Sequence, residues 1–194
     1  MKDVMIDIET LGTRPGSVIL SIGAVFFDPK GGIGAEFYVN IDPEDCKRLG
    51  LTIDQKTIEW WKRQSLAAQN ALTIDRQPLY DALMSFAVWF TSHNGERVWS
   101  HGANFDQPLL DAAYNVIGRE VPWLFWNSRC TRTLFDLAGV DTRKMSSGVK
   151  HNALDDARGQ ARVVQACMQR IHVGAPAAVV VPPSPIVNAG DVFA

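Results

Sequence analysis

The sequence predicts an α/β domain: a mixed sheet that opens with three antiparallel strands and continues with alternating helix and strand, carrying helices on both faces. Three observations lead there. The stretch DVMIDIETL alternates strictly between two faces. Two more apolar runs, SVILSIGAVFFD and AEFYVNID, follow at once, joined by the turn-forming KGGIG, so the connections are short enough for an antiparallel meander. Beyond residue 52, helical periods alternate with the short apolar strands RVWSHGA and SRCT.

In the first strand Val4, Ile6 and Ile8 share one face, and Met5, Asp7 and Glu9 share the other. TIDQKTIEWWKRQS and PLYDALMSFAVWFTSH read as helices, the second with Pro78 placed for a helix start. RVWSHGA reads as a buried strand, FDQPLLDAAYNVIG as a helix ended by Gly118, and TRTLFDLAG as a helix ended by Gly139. A last helix runs from about Ala153 to Ile171. After it, APAAVVVPPSPIVNAGDVFA has too much proline for a regular element, so residues 1–173 form the expected domain and 174–194 a flexible or docking tail. Trp60, Trp61, Trp89 and Trp99 are expected in the core.

A chain of 194 residues suits one domain with a real core. Cys46, Cys130 and Cys167 are odd in number and widely spaced, with no C-x-x-C pair, which points to reduced thiols in a cytoplasmic protein. No signal-peptide pattern opens the chain, and VILSIGAVFF is too short to span a bilayer, so neither secretion nor a membrane is expected. A net charge of -2 argues against a non-specific nucleic-acid coat, but the charge is uneven. Residues 1–118 carry -5 and residues 119–171 carry +4, which allows an acidic site beside a basic flank.

The last helix begins in HNALDDARGQA, with two adjacent aspartates. On a helical wheel Leu154, Ala157, Ala161, Val164 and Met168 form an apolar stripe, and Arg158, Arg162, Gln165 and Gln169 a polar one. Asp155 falls beside the arginines, as a solvated or salt-bridged surface group. Asp156 falls between Val163 and Cys167, where a carboxylate is costly unless a cation meets it. Asp7 and Glu9 point the same way from one strand and repel each other, a conflict that a divalent cation removes. Mg²⁺ and Mn²⁺ prefer such oxygen donors, whereas zinc more usually recruits cysteine and histidine. Asp106, at a helix start, is a candidate fourth acid, although capping alone accounts for an aspartate there.

The pieces DIET (Asp7, Glu9), NFD (Asp106) and HNALDDA (His151, Asp156) resemble the DEDDh 3′-to-5′ exonuclease superfamily, the group of RNase T, oligoribonuclease and the proofreading exonucleases. All five positions stand in that superfamily's order over residues 3–171, and its H-x-A-x-x-D-A pattern selects Asp156 over Asp155. DIETLGTRPGSVILSIGAVFFD, TIEWW and CTRTLFDLAG are most similar to small stand-alone bacterial and phage-type exoribonuclease-like proteins. The resemblance implies a ribonuclease H-like fold and two divalent cations, Mg²⁺ or Mn²⁺. Asp7 would bridge the ions, Glu9 and Asp156 would complete the site on the nucleophile's side, and Asp106 would hold the ion on the leaving group's side. His151 would be the general base, since an imidazole exchanges a proton near neutral pH. His93 and His101 lack its spacing to Asp156 and stay outside the catalytic set.

Thr10 and Leu11 would contact the terminal nucleotide, with Asn104 and Phe105 as further substrate contacts, and Phe105 or a tryptophan would stack another base. Arg129, Arg132, Arg143, Lys144 and Lys150 could track phosphates, though a solvated face explains them nearly as well. The implied activity is release of nucleoside 5′-monophosphates from 3′ ends of single-stranded RNA or DNA, with RNA favoured. A silent nucleic-acid-binding or scaffold domain of the same fold is the alternative, and an endonuclease of the ribonuclease H type a third reading. Similar stand-alone members are often homodimers, so a homodimer stays open.

Overall fold

A computed structural model of the chain describes residues 1–141 and 151–174. In order it contains β1 (Asp3–Thr10), β2 (Ile19–Phe27), β3 (Ile33–Ile41), α1 (Pro43–Arg48), α2 (Gln55–Trp61), α3 (Leu66–Ala71), β4 (Arg76–Gln77), α4 (Leu79–Ser92), β5 (Arg97–Ser100), α5 (Asp106–Val116), β6 (Ser128–Cys130), α6 (Thr131–Leu137) and α7 (Ala153–Gly174). The strands form one sheet in the order β4-β3-β2-β1-β5-β6. β1, β2 and β3 pair antiparallel, whereas β5 joins β1, β6 joins β5 and β4 joins β3 in parallel. The expected mixed α/β sheet is the observed one.

Both faces of β1 are covered, which is why its alternation reads apolar on one side and mixed on the other. Val4, Ile6 and Ile8 pack into a core with Leu83, Phe86 and Phe90 of α4 and Leu110 and Tyr114 of α5. Met5 faces the opposite way, with Val25, Phe27, Phe135 of α6 and Ala157, Ala161, Val164 and Cys167 of α7. The apolar face of α7 is thus built from its small residues, while Leu154 and Met168, expected on the stripe, are only half-buried. Asp3 pins β1 to β5: its carboxylate, buried, accepts Arg97 Nε–H and Trp99 Nε1–H, each at 2.8 Å.

Three elements have no counterpart in the sequence reading: α1, α3 and β4. They are six, six and two residues long, too short to show a period. Asp42 starts α1 by accepting the Glu44 N–H, with Pro43 in its first turn. The helix expected over residues 52–65 is shortened to Gln55–Trp61. Thr52 is drawn into a bridge with Ser17, and Asp54 then caps the helix by accepting the Lys56 N–H. The tail beyond Gly174 and the approach 142–150 lie outside the described residues.

One contact sets where α7 lands. Gly23 of β2 pairs with Asp7 of β1, and a Cβ built on Gly23 would sit 2.2 Å from the Ala153 carbonyl carbon and the Leu154 nitrogen. Only a residue without a side chain lets the first turn of α7 rest on the sheet beside Asp7. Gly23→Ala must push this helix away, at about 1–3 kcal/mol for overpacking, which for a chain of this size is a Tm loss of about 2–12 °C. Thermal unfolding followed by circular dichroism measures it; an unchanged Tm would show that α7 does not depend on this seat.

Candidate active site

β5, which runs parallel to β1, ends its pairing at Met5 and Trp99, so the second half of β1 continues past it. The space left is filled from α5. Asp106, its first residue and 3 % exposed, turns its carboxylate to accept the Ile8 N–H at 3.2 Å. An aspartate at a helix start is an ordinary cap by sequence, but this one reaches across to another strand.

From the other side comes α7. Asn152 caps it by accepting the Asp155 N–H at 3.1 Å. Asp155 then pairs with Arg158, whose Nη1 donates at 2.8 Å and whose Nε also meets Glu36 at 2.7 Å. The neighbouring Asp156 turns inward and accepts the His151 N–H at 3.1 Å. The wheel separated the two aspartates in the same way.

Glu9, His151 and Asp156 offer ligand atoms that all lie within 4.8 Å of one another. Asp7 stands beside them and accepts the Gln160 Nε2–H at 2.8 Å. Burial holds Asp7 well above the usual carboxylate range, and the charges of Asp106, Glu9 and Asp156 push it the same way. Glu9 is pushed up to about 8 by burial and by Asp156 and Asp106. Asp106 rises to about 7, chiefly through burial, against the lowering effect of the Ile8 N–H and the Arg132 guanidinium. Four carboxyl groups therefore share a site that makes it costly to ionise them together.

These groups line one wall of a cavity of about 710 Å³. The cavity is also lined by aromatic side chains. Trp61 is buried, and its indole N–H donates to the Thr10 carbonyl at 2.9 Å. Trp60, 36 % exposed, is not a core residue as expected. Adjacent residues on a helix point about 100° apart, and here Trp61 enters the core while Trp60 remains at the cavity, its ring edge-on to His151 at 4.7 Å. Trp99 is buried as expected, and Trp89 is half-buried against the core. His151 itself has φ +64°, a left-handed backbone unusual for a non-glycine residue. Its N–H bond to Asp156 and the two indole rings hold it there.

The remaining sequence candidates divide. Thr10 and Phe105 line the cavity, the Thr10 hydroxyl donating to the Gly12 carbonyl at 2.6 Å. Leu11 packs against the core, and Asn104 is exposed on the loop before α5; neither lines the cavity. Arg132 reaches the cavity, while Arg129 donates to the Trp126 and Ser128 carbonyls and borders a separate cleft with Asp3 and Arg97. Arg143, Lys144 and Lys150 lie outside the described residues. His93 is remote from the cavity, but His101 belongs to its wall, its Nδ1 2.9 Å from the Thr131 hydroxyl. Burial, with Arg132 nearby, holds His101 below its ordinary pKa.

The sequence reading passed over Gln160 and Lys56 as site residues and placed Trp60 in the core rather than at the site. Gln160 had a legible signal: it follows Asp156 by four residues, one helical turn, and so shares its face. Lys56 had none, because its place depends on how α2 lies across the end of the sheet.

The profile of the 3′-5′ exoribonuclease Rv2179c-like domain family matches residues 2–168. An exodeoxyribonuclease of Enterobacteria phage T4 is 27 % identical over 160 residues, which cover 69 % of this chain and 70 % of the phage protein. Among solved structures, Exonuclease X in complex with 5′-overhanging duplex DNA superposes with a TM-score of 0.55 at 20 % identity, over 89 % of this chain and 92 % of that one. S. pombe Pop2p, with Mg²⁺ and Mn²⁺ bound, superposes with a TM-score of 0.52 at 15 % identity, over 90 % and 85 %. At such identities the two structures speak for the fold, and the long profile match speaks for the family. No helix among the described residues is long and apolar enough to cross a membrane. With this fold and these acids, the chain belongs to the 3′-5′ exoribonuclease Rv2179c-like domain family, within the DEDD-type exonuclease superfamily.

Proposed function

We propose that the protein is a divalent-metal-dependent 3′-to-5′ exonuclease that removes nucleoside 5′-monophosphates from single-stranded ends, RNA in preference to DNA. The convergence of Asp7, Glu9, Asp106 and Asp156 with His151 in one cavity carries this reading. The family's description favours RNA, and the phage relative is named for DNA.

The donor set fits Mg²⁺ or Mn²⁺: oxygen-rich, desolvated and self-repelling, with no cysteine in it. A pair of such ions would supply the charge that neutralises these acids, activates water and stabilises the departing 3′ oxygen. Asp7, Glu9 and Asp156 would hold the ion on the nucleophile's side, and Asp106 the one on the leaving group's side. His151, its ring beside Glu9 and Asp156, takes the proton from the attacking water. Thr10 and Phe105 border the place of the terminal nucleotide, Trp60 offers an exposed aromatic face to a base, and Lys56 and Arg132 answer the phosphate charge. Leu11 and Asn104 act only from behind or beside this wall.

The activity test uses 5′-labelled single-stranded RNA and DNA of matched sequence with Mg²⁺, Mn²⁺ or chelator. Metal-dependent ladders shortening from the 3′ end are expected, faster on RNA. Asp156→Ala abolishes them, Asp155→Ala leaves the rate within about threefold because an exposed ion pair contributes little, and His151→Ala lowers it about 10²–10⁴-fold. A circular single strand stays intact; its cleavage would replace the exonuclease with an endonuclease, and no cleavage of any strand would favour a silent binding domain.

Metal binding would also be visible in stability. Glu9 titrates near 4.5 when unfolded and at about 8 when folded, and Asp106 moves from 3.8 to about 7. Between these values the folded, metal-free chain holds more protons than the unfolded one, so its stability falls as pH rises from about 4 to 8. A cation requires the ionised groups and opposes that loss. The rise in Tm on adding Mg²⁺ should be close to zero at pH 5 and reach several degrees at pH 8, by differential scanning fluorimetry. An increment independent of pH would show that these acids do not bind the ion.

A further inference from the structure

Gln160 stands out among the side chains of the cavity because only one end of its amide is satisfied. Its Nε2 donates to Asp7 Oδ1 at 2.8 Å. Its Oε1 is buried and has no hydrogen-bond partner among the described residues. Leaving a buried acceptor unpaired is costly, and exchanging the two ends would set that oxygen against the Asp7 carboxylate. The orientation is therefore fixed by Asp7, and the open acceptor belongs to a side chain that lines the cavity shared by Asp7, Glu9, Asp106 and Asp156.

The position is set by the same packing that places Asp156. Gln160 lies one turn further along α7, on a helix seated on Gly23, the residue that pairs with Asp7 in the sheet. The helix backbone therefore cannot move Gln160 away from Asp7 without also moving Asp156. Magnesium and manganese keep part of their water shell when carboxylates hold them, and such water needs acceptors.

We infer that Gln160 is a positioning residue of the cation site: its N–H holds Asp7 in the rotamer that presents the other carboxylate oxygen to the ion, and its carbonyl accepts a hydrogen bond from a water of the ion's shell. This rests on the metal-dependent reading above and deepens it. Partners of metal ligands typically change metal affinity by about 10–100-fold when removed.

The test is Mn²⁺ affinity measured without nucleic acid, by isothermal titration calorimetry or by the electron paramagnetic resonance signal of free Mn²⁺, alongside the Tm of the metal-free protein. Gln160→Met keeps the length and removes both hydrogen-bonding groups; Gln160→Ala repeats the test if the thioether packs badly. Gln165→Met is the control on the same helix, since Gln165 Nε2 donates to the Asp28 and Gly32 carbonyls at 2.9 and 2.7 Å, a purely structural tie. The expected result is a loss of about 10-fold or more in Mn²⁺ affinity for the Gln160 variants, with a metal-free Tm no lower than that of the control. Gln165→Met should bind Mn²⁺ as the wild type does. A Gln160 variant that binds Mn²⁺ within about twofold of wild type overturns the inference, and so does an equal loss in Gln165→Met. A wild-type chain that takes up no Mn²⁺ would fail the metal-dependent reading itself, a result visible before any variant is compared.

Discussion

The site depends on how closely α7 can approach the sheet. A carboxylate on a helix and two on a strand converge only if the helix backbone comes within side-chain reach of the strand, and here it does so across Gly23, where even a methyl group has no room. The small residues Ala157 and Ala161 extend the close approach along the next turns, buried against Met5 and Val25. Each would serve any helix-on-sheet contact. Together with Gly23, they decide that Asp156 and Gln160 face Asp7 and Glu9.

Close approach creates an electrostatic problem. Burial raises Asp7, Glu9 and Asp106 well above the ordinary carboxylate range, and repulsion from the neighbouring acids adds to it at Asp7 and Glu9. Part of the repulsion is offset by fixed backbone dipoles: Asp106 begins α5 and Asp156 lies in the first turn of α7, and both helices point their positive ends at the site. The Ile8 and His151 N–H groups add direct hydrogen bonds. What these leave unbalanced is what the proposed cations would neutralise. A site that neutralised itself with arginines would be more stable when empty and would bind metal poorly.

Much of this was legible in the sequence, for identifiable reasons. The meander and the alternation of β1 follow from side-chain period, and the division of labour between Asp155 and Asp156 from the helical wheel, because both periods hold wherever the element lies. The five acid and histidine positions were legible through a family pattern, while the wheel alone left Asp156 as a buried charge in want of a partner. What failed was what depends on neighbours. Two adjacent tryptophans look equally core-like, yet only Trp61 has a buried acceptor for its indole N–H, the Thr10 carbonyl, and Trp60 is left beside His151. Short α1, α3 and β4 exist because longer elements hold their ends, as Asn40 does by donating to the carbonyls of Ala71 and Ile74.

The same division separates the chemistry from the substrate. The proposed hydrolysis needs fixed oxygens at fixed positions, and the carboxylates that would supply them stand on β1, α5 and α7, the elements that build the core. Discrimination between ribose and deoxyribose needs a group that can meet a 2′-hydroxyl, and the groups nearest the terminal nucleotide are set by loops and by α2. Several of them are already engaged: the Thr10 hydroxyl with Gly12, and His101 with Thr131. The rim that remains, Trp60, Lys56, Phe105 and Arg132, offers aromatic faces and positive charge suited to bases and phosphates, which both nucleic acids present. Sugar preference can change at the rim while the core and the carboxylates it places stay as they are.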